Sequence, residues 1–480
     1  MTRSTNGVRA TVIFSGPPGS PTIKPAASEQ RTQLAPVFIL TFLALIFPFF
    51  FEISSLYLST SRVILLVYTP ILLVKMLSGS YGGVRYPDIG VLLYVFWLAL
   101  SILVNNTDVF VTFVGSNAII ILGGYLFGRA FIRNGQTFTA FILLYGAVLL
   151  FSLPFALVEA RTSVMALSRL IDKLPLISSS IDVNYPPRRG LYRVQFTFTH
   201  PIHYGLFASM CFSLVLVGLK GVTSTVWRLG WGAAIAICAF LSVSSGPLIG
   251  VAIQVLLVGY AWKTQHLKAR WTILLSTVAT IYIILEILSD RPAFYAISER
   301  LAFEQNTAYV RKILLDYGLA QIGRTPFLGI GYNKWDLPNY MSGSLDNFWL
   351  LAALVYGIPA AVFLVSTVLY LMVKIGLNDI RDPRVVHLRL SWNFTMAGLL
   401  FSLSTVAVWS EMMSLLFLFI GAGVWLAEPQ KSYVEVDQRE LVPHRPASVY
   451  TRFPQRSRPA NPNSTANAIR ESTGDGNGRN

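Results

Sequence analysis

Long apolar blocks with almost uncharged middles recur about a dozen times along this chain. A helix that crosses the hydrocarbon core of a bilayer needs about 20 mostly apolar residues, and the blocks have roughly that length. Charged residues make up 13% of the chain, whereas an average soluble domain carries about 25%. The pattern predicts a polytopic integral membrane protein.

The membrane spans are expected to be helices, because hydrocarbon offers no partner to unpaired backbone groups and the blocks are longer than the strands of a barrel. The predicted fold class is therefore all-α, with about 12 transmembrane helices. The predicted spans lie near residues 34–51, 61–77, 88–104, 109–127, 138–158, 201–219, 229–244, 247–262, 271–288, 347–373, 391–407 and 410–427.

Polar, proline-containing sequence flanks the apolar part at both ends. Residues 1–33 contain no apolar core of the kind that a cleavable signal peptide needs. Residues 428–480 are rich in Pro, Arg, Asn, Ser and Gly and hold too few apolar residues to fold alone. The predicted organisation is a disordered tail at 1–33, a helical membrane domain at 34–427 and a second disordered tail at 428–480.

Basic residues mark the N-terminal tail and every second connection between the spans. Examples are Arg31, Lys75, Arg129, Lys220 and Lys263. The positive-inside rule then assigns both termini to the cytoplasm. The net charge of +15 is explained by this orientation and does not indicate nucleic-acid binding. Two long loops, at about 159–200 and 289–346, are predicted to face outward.

The spans carry almost no ionisable group at membrane depth. Ion-coupled transporters usually keep such a group there, and the sequence suggests no pair of broken helices around a midplane site. The polar clusters large enough for chemistry lie in the two long loops, so function is expected on one face of the membrane. A transporter of a lipid-linked glycan and a non-catalytic assembly scaffold are the alternatives from other classes.

The first long loop ends with two histidines, His200 and His203, where it enters the sixth predicted span. Residues three apart at the start of a helix can share one face. Two interpretations remain open: the histidines only cap the helix and form hydrogen bonds, or they accept a proton or bind sugar or phosphate. A zinc site is not expected, because no third and fourth ligands are suitably spaced.

The second long loop combines an amphipathic pattern with a glycine-marked stretch. Residues 307–318 predict a helix that carries Arg311. In the run PFLGIG at 326–331, two glycines two residues apart predict a tight turn with close backbone approach. Aromatic residues follow at Tyr332, Trp335 and Trp349. Interfacial aromatic residues usually anchor a protein in the membrane, but beside acids, amides and arginines they also suit stacking on sugar rings.

The arginines of the two loops suit a substrate whose tail lies in hydrocarbon and whose diphosphate lies at the interface. Arginine presents a fixed fork of donors to phosphate oxygens, and neutralising a leaving diphosphate stabilises the transition state. The candidates for this role are Arg188, Arg189, Arg193, Arg291 and Arg311. A base near an acceptor hydroxyl would complete glycosyl transfer, and its candidates are His200, His203 and Asp346.

The block from Thr307 to Gly357 resembles the C-terminal signature of the bacterial O-antigen ligase and O-antigen polymerase superfamily. The shared features are the Arg-bearing helix, the PFLGIG run, the run DNFWL at 346–350 and the following glycine. The runs FTHPIHYG at 198–205 and LSVSSGPL at 241–248 are similar to the exopolysaccharide polymerase branch. Many members carry an arginine in the latter turn, and this chain does not.

The resemblance implies a GT-C-like fold and metal-independent, inverting glycosyl transfer at the periplasmic face of the inner membrane, with no cofactor. The implied substrate is an undecaprenyl diphosphate-linked oligosaccharide. The implied partners are membrane lipid and polysaccharide export and chain-length proteins. Arg311 matches the helix arginine, and Asn347 matches the amide of the ligases' His-Asn pair. Asp346 stands where the ligase histidine would be, which favours a polymerase over a ligase that moves polymer onto lipid A-core.

Overall fold

The computed structural model describes residues 33–47, 49–53, 56–173, 185–288, 305–338 and 345–428. Within these ranges the regular secondary structure is helical apart from one two-stranded hairpin. The predicted tails lie almost wholly outside the described residues, as do Arg291 and parts of both long loops.

The helices follow one another along the whole described chain. They are α1 Pro36–Ile46, α2 Thr60–Leu77, α3 Tyr86–Asn105, α4 Phe110–Phe131, α5 Gly135–Thr162, α6 Ala166–Ile171, α7 Pro201–Ser213, α8 Thr225–Leu241, α9 Ser245–Lys263, α10 Arg270–Leu288, α11 Gln305–Arg324, α12 Phe348–Tyr356, α13 Ile358–Leu377, α14 Pro383–Leu403 and α15 Ser410–Gly423. A π-helical stretch, Leu214–Gly218, continues α7, and the 3₁₀ turns Thr107–Val109 and Val424–Ala427 flank α4 and α15. Strands β1 Phe50–Ile53 and β2 Leu56–Ser59 pair antiparallel, with Phe50 opposite Ser59.

Nine helices in the described part of the chain are long and apolar enough to cross a membrane. The chain is therefore a polytopic membrane protein. These helices are α2, α3, α4, α5, α7 with its π-helical extension, α9, α10, α13 and α15 with its 3₁₀ extension. The shorter apolar helices α1 and α8 and the more polar α14 coincide with the remaining predicted spans. Each predicted span thus overlaps a helix, and the count of about 12 crossings stays a prediction.

The first span was predicted to run to residue 51, but α1 ends at Ile46 and the chain turns into β1. The reason lies in side-chain packing. The ring of Phe47 lies 6.2 Å from that of Phe151 and 5.8 Å from that of Phe196. Phe47 therefore packs against neighbouring elements just past the end of the helix, and hydropathy alone does not reveal this.

The tenth span, predicted as one helix over 347–373, is broken at Gly357 between α12 and α13. Gly357 has a φ of +92°, a conformation that glycine adopts without a steric penalty. A side chain there would collide with the Phe327 carbonyl, and the Ile358 N–H donates to the Pro326 carbonyl at 2.8 Å. The second long loop therefore inserts its backbone into the break, and the expectation of unbroken spans is wrong at this position.

Helices α4 and α15 pack with their backbones almost in contact. A side chain at Gly128 would collide with the Leu418 carbonyl, and one at Gly421 with the Tyr125 carbonyl. Small residues allow such close approach between membrane helices. This packing holds α15 against α4, and the start of α15 lines part of the candidate site.

Two contacts join segments that connect the helices, and each is consistent with the alternation of sides predicted from the basic residues. At the end of the helices that carries the two long loops, Asn106 donates to Asn333 through its side-chain amide at 3.0 Å. At the opposite end, the Asn378 amide donates to the Leu426 carbonyl at 2.8 Å. Each contact joins connections that the charge pattern assigns to the same side, and we call the first end the loop end.

Candidate functional site

The two long loops meet at the loop end and bring five ionisable side chains into one electrostatic group. The Arg311 guanidinium interacts with the Asp346 carboxylate and with the Arg188 guanidinium. His200 interacts with Arg193 and Arg188. We call these five residues the charged cluster. Sequence patterns predicted each member separately, and the fold places residues of both loops within electrostatic range of one another.

His200 caps α7 from the residue just before the helix. Its Nδ1 accepts a hydrogen bond from the Ile202 N–H at 3.0 Å. The neutral ring therefore carries its proton on Nε2 and presents a donor there. Burial, followed by repulsion from Arg193 and Arg188, lowers the pKa of His200 to about 4. His200 is thus neutral at pH 7 and is suited to donate a hydrogen bond rather than to accept a proton.

His203 lies one turn further along α7 and is buried. Its Nε2 atom has no hydrogen-bond partner among the described residues. Its ring lies 4.1 Å from the Trp409 ring, centroid to centroid, and the His200 ring lies 5.6 Å from the same indole. Both histidines therefore contact the same side chain, that of Trp409, which is the residue just before α15.

Arg193 belongs to the first long loop and is buried. Its Nη2 donates to the Ser244 hydroxyl at 3.0 Å, and its guanidinium lies 5.7 Å from the centre of the Tyr185 ring. Ser244 belongs to the tight turn that joins α8 to α9. The Ser-Gly turn lacks an arginine in sequence, and the first loop supplies one to it in space.

Arg311 projects from α11 and is half-buried. Burial lowers the pKa of its guanidinium, the Asp346 carboxylate opposes that shift, and Arg188 adds to it. The Nε atom is buried and has no hydrogen-bond partner within the described ranges. Arginine keeps its charge at neutral pH, so Arg311 offers a poorly solvated cation with an unused donor to an incoming anion.

Asp346 and Asn347 stand at the start of α12. Asn347 caps this helix, because its Oδ1 accepts from the Leu350 N–H at 3.0 Å. The Phe348 N–H donates to the Val406 carbonyl at 3.0 Å, which ties α12 to the connection before α15. Asn347 thus has a local structural role, and the half-buried Asp346 beside it supplies the carboxylate of the charged cluster.

The PFLGIG run forms the tight turn that its glycines predicted. Gly329 and Gly331 both have a φ of +62°, and a side chain at Gly329 would collide with the Val355 carbonyl. The Ile330 N–H donates to the Leu354 carbonyl at 3.0 Å, and the Gly331 N–H to that of Val355 at 2.8 Å. The turn fixes where the following aromatic segment leaves the end of α12.

A cavity of about 920 Å³ lies between α4, α12, the start of α15 and residues 330–338. Its lining includes Tyr332 and Trp335, two residues that the sequence patterns proposed for substrate binding. Lys334 and Trp409 line it as well. Trp409 therefore joins the cavity to the histidine pair. The predicted residue Trp349 instead uses its indole N–H to donate to the Leu400 carbonyl at 3.2 Å.

The remaining predicted arginines of the first loop occupy a tight turn. Arg188 and Leu191 exchange two backbone hydrogen bonds of 2.9 and 3.0 Å. Arg189, at the tip of this turn, is exposed and has a φ of +51°. Of the two, Arg188 is the one that belongs to the charged cluster.

Trp409 and Lys334 are the site residues that the sequence patterns do not single out. A tryptophan near the end of a span is ordinarily an interfacial anchor, so position alone did not distinguish Trp409. No group of three His, Cys, Asp or Glu side chains suited to a metal ion occurs among the residues described. No protein-family profile matches the chain, and no curated protein is significantly similar to it in sequence.

Proposed function

We propose that the protein is a membrane glycosyltransferase that polymerises undecaprenyl diphosphate-linked oligosaccharide repeat units into exopolysaccharide. The observation that carries this proposal is the position of Trp409, which contacts both histidines and lines the cavity. A cluster of cations suited to a diphosphate thereby adjoins an aromatic-lined space suited to a glycan.

The proposed arrangement is GT-C-like, with about 12 crossings, both termini in the cytoplasm and the two long loops in the periplasm of a bacterial inner membrane. Two observations support it. A helix coincides with each apolar block, and contacts join connections that the charge pattern assigns to the same side.

The diphosphate of the donor is proposed to bind Arg311, Arg193 and Arg188. Arg311 brings a buried Nε–H that has no partner among the described residues. Charge-assisted hydrogen bonds to phosphate are among the strongest that a protein makes. His200, neutral at pH 7, donates from Nε2 to a phosphate or sugar oxygen without adding a further repulsive charge.

In the proposed reaction an acceptor hydroxyl oxygen attacks the anomeric carbon of the donor sugar. The new carbon–oxygen bond forms as the bond to the diphosphate breaks, and the electron pair leaves with undecaprenyl diphosphate. The arginines stabilise the negative charge that develops on this leaving group. Attack opposite to the leaving group inverts the configuration at the anomeric carbon.

Asp346 is the proposed acceptor of the hydroxyl proton. The Nδ1 lone pair of His200 is already used by the Ile202 N–H, and His203 is buried beside Trp409. Asp346 is half-buried, lies at a helix start, and is electrostatically linked to Arg311. Of the three candidate bases predicted from the sequence, we therefore propose Asp346 over His200 and His203.

The acceptor glycan is proposed to occupy the cavity, with its sugar rings against Tyr332, Trp335 and Trp409. Binding sites for small molecules are concave, largely apolar and equipped with a few polar groups. The Lys334 and Asn333 side chains line the same space and supply polar contacts to hydroxyl groups.

The test is the lipid and polymer profile of a strain that lacks the protein, complemented with wild type, Arg311→Ala or Lys312→Ala at matched membrane levels. Lys312 is the exposed neighbour of Arg311 and controls for the loss of one positive charge. We expect the deletion and Arg311→Ala to lose high-mass exopolysaccharide and accumulate single lipid-linked repeat units, with unchanged lipopolysaccharide.

Other outcomes of the same experiment decide against the proposal. Polymer that still forms but is not attached to lipid A-core would indicate the ligase. Normal polymer and normal lipopolysaccharide in the deletion strain would exclude both glycosyltransferase assignments.

A further inference from the structure

We propose that Glu159 is a positioning residue, whose carboxylate holds the backbone between Arg193 and His200 so that both side chains reach the charged cluster. The effect on catalysis rests on the proposed function, and the effect on the position of this segment does not.

The carboxylate of Glu159 accepts hydrogen bonds from two successive backbone amides. Glu159 lies in the last turn of α5 and is 4% exposed. One oxygen accepts from the Gln195 N–H at 2.7 Å, and the other accepts from the Phe196 N–H at 3.1 Å. Phe196 has a φ of +59°, and turns of this kind aim successive amides at one anion.

The presence of an acidic residue at position 159 is not explained by a contribution to the stability of α5. A negative charge in the last turn of a helix opposes the helix dipole, and a buried carboxylate is costly unless it is hydrogen-bonded. Both amide donors of Glu159 come from the first loop. Both of these favourable hydrogen bonds are therefore made with the segment that carries Arg193 and His200.

Neutral hydrogen bonds also hold the same segment. The Tyr192 N–H donates to the Ala160 carbonyl, and the Val194 N–H to that of Leu241, each at 3.1 Å. The Thr197 hydroxyl donates to the Ile46 carbonyl. Hydrogen bonds to an ionised acceptor are stronger than such neutral ones, so Glu159 is expected to make the largest single contribution to the position of the segment.

Arg193 lies two residues before the first amide that Glu159 binds, and its guanidinium donates to Ser244. His200 follows both amides and must cap α7. Release of the two amides lets this stretch of backbone move relative to both partners. Glu159 thus acts through Arg193 and His200 and does not itself contact the substrate.

The first test measures the position of the segment directly, by limited trypsin digestion of the purified full-length protein with mass spectrometry. Arg193 is buried in the wild type and should resist cleavage. Glu159→Gln replaces one acceptor oxygen with an amide donor that faces a backbone N–H, so cleavage after Arg193 should accelerate about 10-fold or more, because cleavage follows local opening. Arg161→Gln, an exposed change at the end of the same helix, is the control.

Equal protection of Arg193 in Glu159→Gln and the wild type would overturn the positioning role. Thr197→Val gives a second route to the same question, because it removes a different anchor of the segment and leaves the carboxylate in place. If Thr197→Val loosens Arg193 as much as Glu159→Gln does, the special role of the carboxylate is also rejected.

The second test is a double-mutant cycle on polymer formation. Glu159→Gln alone should lower the rate about 10- to 100-fold, in the range expected for a misplaced catalytic group. In a background that carries both Arg193→Ala and His200→Ala it should change the rate by less than about twofold, since residues that act through one another are not additive. Losses that multiply in this background would show that Glu159 acts independently of Arg193 and His200 and would overturn the proposal.

The two tests separate this inference from the proposed function. Trypsin sensitivity of Glu159→Gln, with normal polymer and lipopolysaccharide in the deletion strain, leaves the positioning role intact and rejects the glycosyltransferase. Polymer lost in Arg311→Ala but retained in a fully protected Glu159→Gln rejects the positioning role alone.

Discussion

The indole ring of Trp409 lies 4.1 Å from the imidazole ring of His203. The same indole is 40% exposed and forms part of the cavity wall. A membrane anchor would face lipid or the interface, whereas this side chain lies between a buried histidine and the cavity. Its contacts therefore favour a role in ligand binding.

Replacement of Trp409 with alanine should weaken acceptor binding. Loss of one aromatic stacking contact costs about 0.5–1.5 kcal/mol beyond buried area, so KM should rise about 2- to 12-fold with a smaller change in kcat. Trp409→Phe should retain most of the affinity. Steady-state rates with lipid-linked repeat units provide the measurement.

Trp227→Ala is the matched control, because Trp227 is a tryptophan near the start of α8 that is 66% exposed. Equal losses in Trp409→Ala and Trp227→Ala would show that Trp409 is only another interfacial anchor.

Gly329→Ala should destabilise the turn that presents the aromatic segment. Gly329 has a left-handed φ and faces the Val355 carbonyl closely, so an added methyl group should cost about 1–3 kcal/mol. Thermal unfolding in detergent measures this loss. Gly323→Ala, in the exposed part of α11 where an added Cβ meets nothing within 4 Å, should be neutral or stabilising. A Gly329→Ala protein as stable as the wild type would contradict the described turn.

The end of the helices opposite the loop end holds a buried ion pair. Arg129 Nε lies 3.3 Å from Asp88 Oδ1, and the two side chains are 1% and 0% exposed. The Tyr125 hydroxyl donates to the same carboxylate at 2.6 Å, and Arg129 Nη2 lies 3.1 Å from Glu428 Oε1. The charges of this network pair with one another inside the protein, so we assign it to stability.

Arg129→Met should therefore lower the free energy of unfolding by about 3–5 kcal/mol, because it leaves the buried Asp88 charge without its partner. Arg381→Ala breaks an exposed pair of 3.9 Å and should change stability by less than about 1 kcal/mol. Denaturation of the purified variants compares the two, and similar effects would contradict the buried network.

Acid should destabilise the protein in part through His200. Its folded pKa of about 4 lies below its ordinary value of 6.5, so the unfolded chain binds more protons between these values. The contribution of His200 is complete above about pH 6.5 and is lost as pH falls toward 4. His200→Asn keeps a good helix cap and should show a shallower loss of melting temperature between pH 7 and pH 5. An unchanged slope would contradict the buried, neutral state of His200.

Much of the fold follows from sequence because bilayer physics leaves few choices for a 20-residue apolar block. The turn at Gly329 and Gly331 was also predictable, since its signal is the local spacing of glycines. The break at Gly357 was not, because the carbonyl that occupies it belongs to Phe327 in a distant part of the chain. The β1–β2 hairpin was hidden by the apolar sequence that continues beyond α1.

The candidate site likewise has features that were predictable from the sequence and features that were not. Arginines and histidines in polar loops stand out in a chain with few charges, so each member of the charged cluster was predictable as an individual. Their grouping was not, because it depends on tertiary contacts such as Arg193 with Ser244. Glu159 carries no local signal, since its partners are backbone amides, which every sequence provides.

The most direct test of the central claim is glycosyl transfer by the purified protein in liposomes, supplied with lipid-linked repeat units from the deletion strain. Polymer length and released undecaprenyl diphosphate are measured together for wild type, Arg311→Ala and Lys312→Ala. The account predicts that wild type and Lys312→Ala release one diphosphate for each unit added, and that Arg311→Ala does neither. Polymer of equal length from Arg311→Ala, or no transfer by the wild type, would contradict it.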